Sequence, residues 1–117
     1  MQALENIGTL EMQRGNLPAA LRSLQQAAAI DPRSARAHNG LGVIAMKTGN
    51  ADEAFAQWKR AVELSPNDFD ALFNLSMELD AAGRHDEARP YLERFVRDAP
   101  PAQYGPDIAR ARKLLPR

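Results

Sequence analysis

The side chains that could carry out catalysis or bind a metal are few in this sequence and widely spaced. The chain has no cysteine, and its two histidines, His38 and His85, lie 47 positions apart. A zinc site on a helix needs a second ligand about one turn away, and a catalytic base needs a reacting group within hydrogen-bond reach. We therefore expect packing or surface roles for both histidines, with no catalytic residue, no metal site and no cofactor.

A glycine-rich string, G-x-G-x-x-A, runs from Gly40 to Ala45. A phosphate-binding turn of this type needs a preceding strand and a helix N-terminus that points at the ligand. Here the string falls inside a predicted helix, so close helix packing at Gly42 explains it better. The neighbouring acids at positions 52–53 and 86–87 fall in the first turns of predicted helices, where they interact favourably with the helix dipole.

Composition and charge exclude further classes of function. The chain has 117 residues, with 15 basic and 15 acidic side chains and 44% hydrophobic residues, as in an ordinary globular domain. Zero net charge argues against nucleic acid or an acidic membrane as the partner, because these usually meet clustered Lys and Arg. No segment approaches the ~18 apolar residues of a membrane span or resembles a signal peptide. We expect a cytoplasmic protein.

An internal repeat of 34 residues dominates the chain. Three units fit this period, residues 1–34, 35–68 and 69–102, and a 15-residue tail follows. A fixed period of this length is typical of a solenoid, whose units must stack to bury their apolar faces. The residues at equivalent positions are Gly8 and Gly42; Gly15, Gly49 and Gly83; Ala20, Ala54 and Ala88; Leu24, Trp58 and Leu92; Ala3, Ala37 and Ala71; Ile7, Leu41 and Leu75; and Pro32, Pro66 and Pro100.

Each unit is predicted to form two antiparallel helices. In the first unit, one helical face carries Ala3, Leu4, Ile7 and Leu10. Gly15 ends this helix, because glycine can adopt the left-handed conformation without a Cβ penalty. The second helix runs from about Pro18 to Ile30. The small Gly8 lets the two helices approach closely beside the bulky Leu24, and the second unit repeats this pairing.

The pattern resembles the tetratricopeptide repeat, a 34-residue helix-turn-helix unit. The resemblance is carried by Ile7, Gly8, Ala20, Ala27 and Pro32 in the first unit and by Leu41, Gly42, Ala54, Ala61 and Pro66 in the second. The third unit departs from it at Ser76 and Phe95, where the family has Gly and Ala. The resemblance implies an all-α fold, an α-α superhelix of seven antiparallel helices that winds in the right-handed sense.

The tail, residues 103–117, is predicted to form a C-terminal capping helix. Pro106 and Asp107 suit a first turn, and helical spacing of apolar residues follows. Such a helix covers the last apolar face of a stack, with these residues turned toward the core: Tyr104, Ile108, Ala111 and Leu115. At the other end, Met1 begins in register without a capping segment, which is the pattern of a chain cut from a longer protein.

The family resemblance also implies a concave groove lined by the first helix of each unit. Carried over to this chain, the groove consists of Glu5, Thr9 and Met12; Arg36, Asn39, Val43, Met46 and Lys47; and Asp70, Phe73, Met77 and Asp80. Three of the four methionines, with Val43 and Phe73, form an apolar strip where a solvated face would be charged. Exposed apolar patches usually mark interaction sites, and methionine adapts to varied partners. The alternative is that superhelical curvature or the capping helix buries the strip.

These features favour a protein-protein interaction module that binds a peptide or amphipathic helix of a partner protein. Two alternatives stay open: a docking or regulatory arm of a larger enzyme, and a self-associating scaffold. Neither nucleic acid nor membrane insertion is expected. Binding of a chaperone's C-terminal carboxylate is disfavoured, because Glu5 and Thr9 stand where repeats of that type carry basic residues and Asn, and an acid there would repel the ligand.

Overall fold

The computed structural model describes residues 2–115 and contains seven helices and no strand within that range. The helices are α1 (Gln2–Gln13), α2 (Leu17–Ile30), α3 (Ala35–Lys47), α4 (Ala51–Leu64), α5 (Phe69–Ala81), α6 (His85–Asp98) and α7 (Pro101–Leu114). The predicted all-α class and number of helices are thus confirmed. None of these helices is both long and apolar enough to cross a lipid bilayer. Met1 and the end of the predicted capping segment, Pro116 and Arg117, lie outside the described residues.

Polar side chains and glycines set the ends of these helices. Side-chain oxygens accept hydrogen bonds from backbone N–H groups in the first turns of α2, α3, α4 and α5, and these oxygens belong to Asn16, Ser34, Asn50 and Asp68. Each such bond satisfies an N–H group that has no partner within the helix. After α1, α3 and α5, the φ angles of +78°, +84° and +81° belong to Gly15, Gly49 and Gly83. These left-handed values confirm the predicted role of glycine as the helix terminator.

The chain divides into two compact units, Met1–Ser65 and Pro66–Arg117. In the first unit, glycines let bulky side chains lie directly against a neighbouring helix. A Cβ atom on Gly8 would lie 2.7 Å from Cγ of Leu24, and one on Gly42 would lie 2.6 Å from Nε1 of Trp58. Gly40 also faces Leu24, at 2.7 Å from Cδ1. Because interiors are close-packed, a side chain at these positions would displace its neighbour, and the predicted pairing of small with bulky residues is confirmed.

One expectation for the first unit is wrong. Stacking of the repeats should bury the apolar face of α1, but most of that face is exposed. Ala3 is exposed, and Ile7 and Leu10 keep 46% and 50% of their surface exposed. At equivalent positions of α3, Ala37 and Ile44 are only 0% and 3% exposed, since α2 packs against α3. Within this unit, the described neighbours of α1 are α2 and α3, and the side of α1 that carries Ile7 and Leu10 stays half exposed.

In the second unit, aromatic rings join α7 to α5 and α6. The ring of Phe95, which is fully buried, has its centroid 5.0 Å from that of Phe73 and 5.7 Å from that of Tyr104. Phe69 lies 5.9 Å from Tyr104 in an edge-to-face arrangement. Such tilted and edge-to-face contacts are favourable because the ring edges are electropositive and the faces electronegative. The cluster therefore fixes α7 on the first two helices of its unit.

The seventh helix has the capping role that the sequence predicts, but it contains a kink. At Tyr104, φ is −118° and ψ is 20°, which interrupts regular helical geometry. Pro106 then stands in the first turn of the longer segment, where its missing N–H group costs little. Ile108 and Ala111 are buried at 7% and 0% exposure, whereas Leu115 is only half-buried.

Candidate functional site

In the first unit, α3 carries apolar residues between two exposed cations. Val43 and Met46 are partly exposed, and Arg36 and Lys47 are exposed. The cations are eleven residues apart, which on an α-helix is about 16 Å along the axis and only about 20° around it. Asn39 is half-buried on the same side. All five predicted groove residues of α3 therefore lie within about 100° of helical arc, and we call this surface the α3 face.

Glu5 does not face solvent, contrary to the expectation from the family resemblance. It is 8% exposed, and its carboxylate accepts a hydrogen bond from the hydroxyl of Ser34. It also pairs with Arg36, whose Nη1 lies 3.5 Å from Oε1 of Glu5, while Nη2 of Arg36 donates to Oδ1 of Asn6 at 3.2 Å. A buried charge needs such partners. Glu5 therefore positions Arg36, and its charge is compensated by Ser34 and Arg36 instead of being presented to a ligand.

The two remaining predicted groove residues of the first unit differ in their surroundings. Thr9 is exposed, and its hydroxyl donates to a backbone carbonyl one turn earlier at 3.0 Å. Met12 packs against the buried cluster that contains Leu24, so it belongs mainly to the packing between helices. The apolar strip of the first unit is therefore reduced to Val43 and Met46.

In the second unit, α7 covers part of the predicted groove surface of α5. The hydroxyl of Tyr104 donates to Oδ1 of Asp70 at 3.0 Å. The guanidinium carbon of Arg110 lies 5.6 Å from the ring centroid of Phe73, within the range of a cation–π interaction. The capping helix therefore covers Phe73, which is the alternative that the sequence left open for the apolar strip of predicted groove residues.

The second half of α5 carries the other two predicted groove residues, Met77 and Asp80, which are both half-buried. Oδ1 of Asp80 lies 2.8 Å from Nδ1 of His85, at the start of α6. This bond links the end of α5 to the next helix, so Asp80 has a structural partner as well as a partly exposed side chain.

The contact between Tyr104 and Asp70 predicts an alkaline transition. Burial, followed by the hydrogen bond to Asp70, raises the pKa of Tyr104 to about 12. Because a free tyrosine has a pKa of about 10, this contribution to stability is complete below about pH 10 and is lost as the pH rises from about 10 to 12. Phenolate absorbance of the native protein should therefore include a component near pH 12 that Tyr104→Phe removes. An identical titration curve for the variant would contradict this assignment.

The histidines and the glycine string have structural surroundings. Nδ1 of His38 lies 2.7 Å from Oε1 of Gln57, and Nε2 lies 2.9 Å from the carbonyl oxygen of Pro32. Gly40 and Gly42 lie inside α3, away from its N-terminus. Among residues 2–115, no group of three or more His, Asp or Glu side chains could hold a metal ion.

A cleft of ≈ 290 Å³ between α2, α3 and α4 is a feature that the sequence reasoning missed. Its walls are formed by Leu21, Gln25, Leu41, Ile44, Ala45, Thr48, Asn50, Glu53 and Gln57. The apolar members come from the contact between the first and second repeats. The 34-residue repeat could have indicated this cleft, because the repeat shows which residues of α2 face the helices of the second unit.

Sequence comparison identifies the repeat. A family model described as "Tetratricopeptide repeat" matches residues 6–69 and 47–103, which together cover most of the chain. The chain belongs to the tetratricopeptide repeat family. Repeats of this family are generally interaction modules without catalytic residues, and membership therefore supports a role in protein interaction. No curated protein is significantly similar to the chain in sequence.

Solved structures with a similar fold come from proteins of different sizes. The type III secretion chaperone SycD of Yersinia enterocolitica, in complex with a peptide of the translocator YopD, is 19% identical with a TM-score of 0.87, over 97% of this chain and 88% of that one. PilF of Pseudomonas aeruginosa is 28% identical with a TM-score of 0.82, over 97% and 50%. A mutant O-GlcNAc transferase of Thermobaculum terrenum is 25% identical with a TM-score of 0.75, over 82% and 18%. The chain thus spans half or less of the last two proteins.

Proposed function

We propose that this tetratricopeptide repeat chain is a protein-interaction module that binds a peptide segment of a partner protein on the α3 face. The observation that carries the proposal is the apolar pair Val43 and Met46, which is partly exposed between the exposed cations Arg36 and Lys47. An apolar centre within a polar rim is typical of protein interfaces. SycD, a protein of similar fold, is in complex with a peptide, and this supports the proposal.

The charges of the α3 face indicate the chemistry of the partner segment. Arg36 is held from one side by Glu5 and still has 53% of its side chain exposed, so N–H groups remain available to an incoming carboxylate. Lys47 stands three turns further along the helix. A segment with two carboxylates about 16 Å apart would pair with both cations and place an apolar side chain over Val43 and Met46. In an extended peptide, side chains four residues apart point to the same face and lie about 13 Å apart, and the long arginine and lysine side chains can span the difference.

In the second unit, taken by itself, Met77 and Asp80 stay predicted partner contacts, because both are half-buried on α5. Asp70 and Phe73 are less suitable, because Tyr104 and α7 already engage them.

Replacing both Val43 and Met46 with glutamate should weaken peptide binding while leaving the helices intact. Two new carboxylates would repel an acidic segment, whereas glutamate is favourable in helices and both positions are already partly exposed. The probe is a fluorescently labelled ten-residue peptide with two glutamates four positions apart and leucine midway between them, so that all three side chains share one face when the peptide is extended. Fluorescence anisotropy should show a loss of affinity of roughly tenfold or more, equivalent to at least about 1.4 kcal/mol.

The matched control is Ala56→Glu, which adds a charge at an exposed position of α4, outside the α3 face. This variant should bind like the wild type, and thermal unfolding followed by circular dichroism should show that every variant folds. A double variant that folds and still binds with unchanged affinity would rule out the α3 face as the site. A Phe73→Glu change is unsuitable for this test, because its ring packs at 5.0 Å on Phe95 and the change would disturb the core.

A docking arm of a larger enzyme is a second candidate, favoured by one observation. The chain is similar to part of an O-GlcNAc transferase, where the match spans 18% of that protein. In this case the α3 face would recruit a substrate or regulator, and the catalytic residues would lie in another domain. Sequencing the reading frame around the coding region would test the idea, since a frame that encodes no catalytic domain would exclude it.

A further inference from the structure

The first unit has a second apolar surface, which is carried by α1. We call it the open face and define it by Ala3, Ile7 and Leu10 of α1. Ile7 and Leu10 are 46% and 50% exposed, and with Ile30 at the end of α2 they are the large hydrophobic residues that stand out as exposed among residues 2–115. Exposed apolar residues that cluster in this way mark an interaction surface.

The 34-residue register indicates what kind of element fits the open face. Ile7 and Leu10 are equivalent to Leu41 and Ile44 of α3, and in the second repeat α2 covers these positions. Leu21 of α2 lines the same cleft as Leu41 and Ile44. Leu41 packs on the core cluster to which Ile44 belongs. At these two positions α1 therefore repeats the apolar face that α3 turns toward α2. At the position of Ala45, which lines the same cleft, α1 carries Glu11 instead.

We propose that the open face binds an amphipathic helix of a partner protein in the register that α2 has on α3. Such a helix carries apolar residues at the positions of Leu17 and Leu21, a small residue at the position of Leu24, and an acidic residue at the position of Gln25. The first requirement follows from the apolar stripe that α1 offers. The other two follow from places where the first repeat differs from the second.

The small residue is required because Asn6 occupies the position equivalent to Gly40. In the second repeat, Cδ1 of Leu24 lies 2.7 Å from where a Cβ atom on Gly40 would be, so leucine fits only opposite glycine. Asn6 has a side chain at this point, and a hydrogen bond of 3.2 Å from Arg36 holds its amide oxygen. A leucine in the partner helix would collide with Asn6, whereas alanine would fit.

The acidic residue is required because Arg14 occupies the position equivalent to Thr48. Thr48 lies on the rim of the cleft together with Gln25 of α2. The side chain of Arg14 is 73% exposed, and its ion pair with Glu11 spans 3.8 Å. Since a cation replaces a hydroxyl at this rim, a carboxylate at the position of Gln25 would be electrostatically complementary.

Two synthetic peptides test this pattern with equal composition. Both have the sequence of residues 16–33 with Gln25→Glu, and they differ only in carrying either Leu24→Ala or Leu21→Ala. Because each peptide exchanges one leucine for alanine, the two have the same amino-acid composition and the same summed helix propensity. By fluorescence anisotropy with labelled peptides, the Leu24→Ala peptide should bind roughly tenfold tighter than the Leu21→Ala peptide. Equal affinities, the reverse order, or no saturable binding of either peptide would overturn the proposal.

Protein variants separate the open face from the α3 face. Ile7→Glu should reduce the affinity for the Leu24→Ala peptide roughly tenfold or more, with an unchanged circular dichroism spectrum because Ile7 is already 46% exposed. The variant with glutamate at both Val43 and Met46 should bind this peptide like the wild type, and loss of binding there would place the peptide on the wrong surface. Sedimentation velocity tests whether a second copy of the chain, and not a partner helix, occupies the open face. A wild-type dimer that Ile7→Glu converts to a monomer would assign the open face to a second copy and overturn the assignment to a partner helix.

Discussion

Replacing Trp58 with alanine should lower the free energy of unfolding by about 3–5 kcal/mol, the range found for truncating a large buried aromatic residue. Trp58 is 2% exposed, and its indole lies against Gly42 of the facing helix. Its Nε1–H group donates to the backbone carbonyl of Asn39 at 3.3 Å, and its ring lies 6.5 Å from that of Phe55. Alanine would leave a cavity between α3 and α4 that glycine on the other side cannot fill. A domain with a total stability of about 5–15 kcal/mol would become marginal.

Urea denaturation followed by far-ultraviolet circular dichroism measures this loss. Tryptophan fluorescence cannot be used for the comparison, because Trp58 is the single tryptophan of the chain. Ile30→Ala is the control, since Ile30 is 63% exposed and its replacement should change stability by about 0.5 kcal/mol or less in a monomer. A loss below about 1 kcal/mol for Trp58→Ala would mean that the indole is not the centre of the α3–α4 packing.

The features that depend on one repeat alone could be predicted from the sequence. The pairing of Gly8 with Leu24 and of Gly42 with Trp58 follows from residue size and helical spacing, because both partners lie within one helical hairpin. The positive φ angles at the glycines after α1, α3 and α5 follow in the same way. The physical cause of these features lies within one repeat, and the same residue pattern recurs every 34 residues.

The environment at the ends of the repeats could not be predicted, because a period describes each unit but not the elements beside it. Ile7 and Leu41 occupy the same register position, yet Ile7 is 46% exposed and Leu41 packs on a buried cluster. The difference is the presence of α2 beside α3. Phe73 is a similar case, because it is covered by Arg110 of α7, a helix that does not belong to the period.

The burial of Glu5 has a different cause. A glutamate on a helix that follows the family pattern is expected to be solvated, but its charge is satisfied by Ser34 at the end of the first repeat and by Arg36 at the start of the second. The hydroxyl of Ser34 also caps α3 by accepting the N–H group of Ala37 at 3.1 Å. One serine thus joins a helix cap to a buried carboxylate, and this coincidence depends on a tertiary contact that spans 29 residues of sequence.

Replacing Gly42 with alanine should also destabilise the protein, although alanine is the better helix former. The exchange alone would favour the helix by about 1 kcal/mol, but the new Cβ atom would lie 2.6 Å from Nε1 of Trp58 and 2.7 Å from Cδ1. Overpacking of this kind costs about 1–3 kcal/mol, and the ring has little freedom to move because it is 2% exposed. We expect the clash to outweigh the gain in helix propensity, with a net loss of up to about 2 kcal/mol.

The same substitution should have the opposite sign when the indole is absent. With alanine at position 58, the Cβ atom at position 42 enters empty space, so Gly42→Ala should stabilise that background by up to about 1 kcal/mol. A double-mutant cycle measured by urea denaturation would then give a coupling of about 1–3 kcal/mol, as expected for residues in direct contact. Gly105→Ala, next to the kink in α7, is the control for a Cβ atom without contacts, because nothing lies within 4 Å of it, and its effect should be the same in both backgrounds. An effect of Gly42→Ala that is equal in the two backgrounds would show that backbone conformation, rather than contact with Trp58, requires glycine at this position.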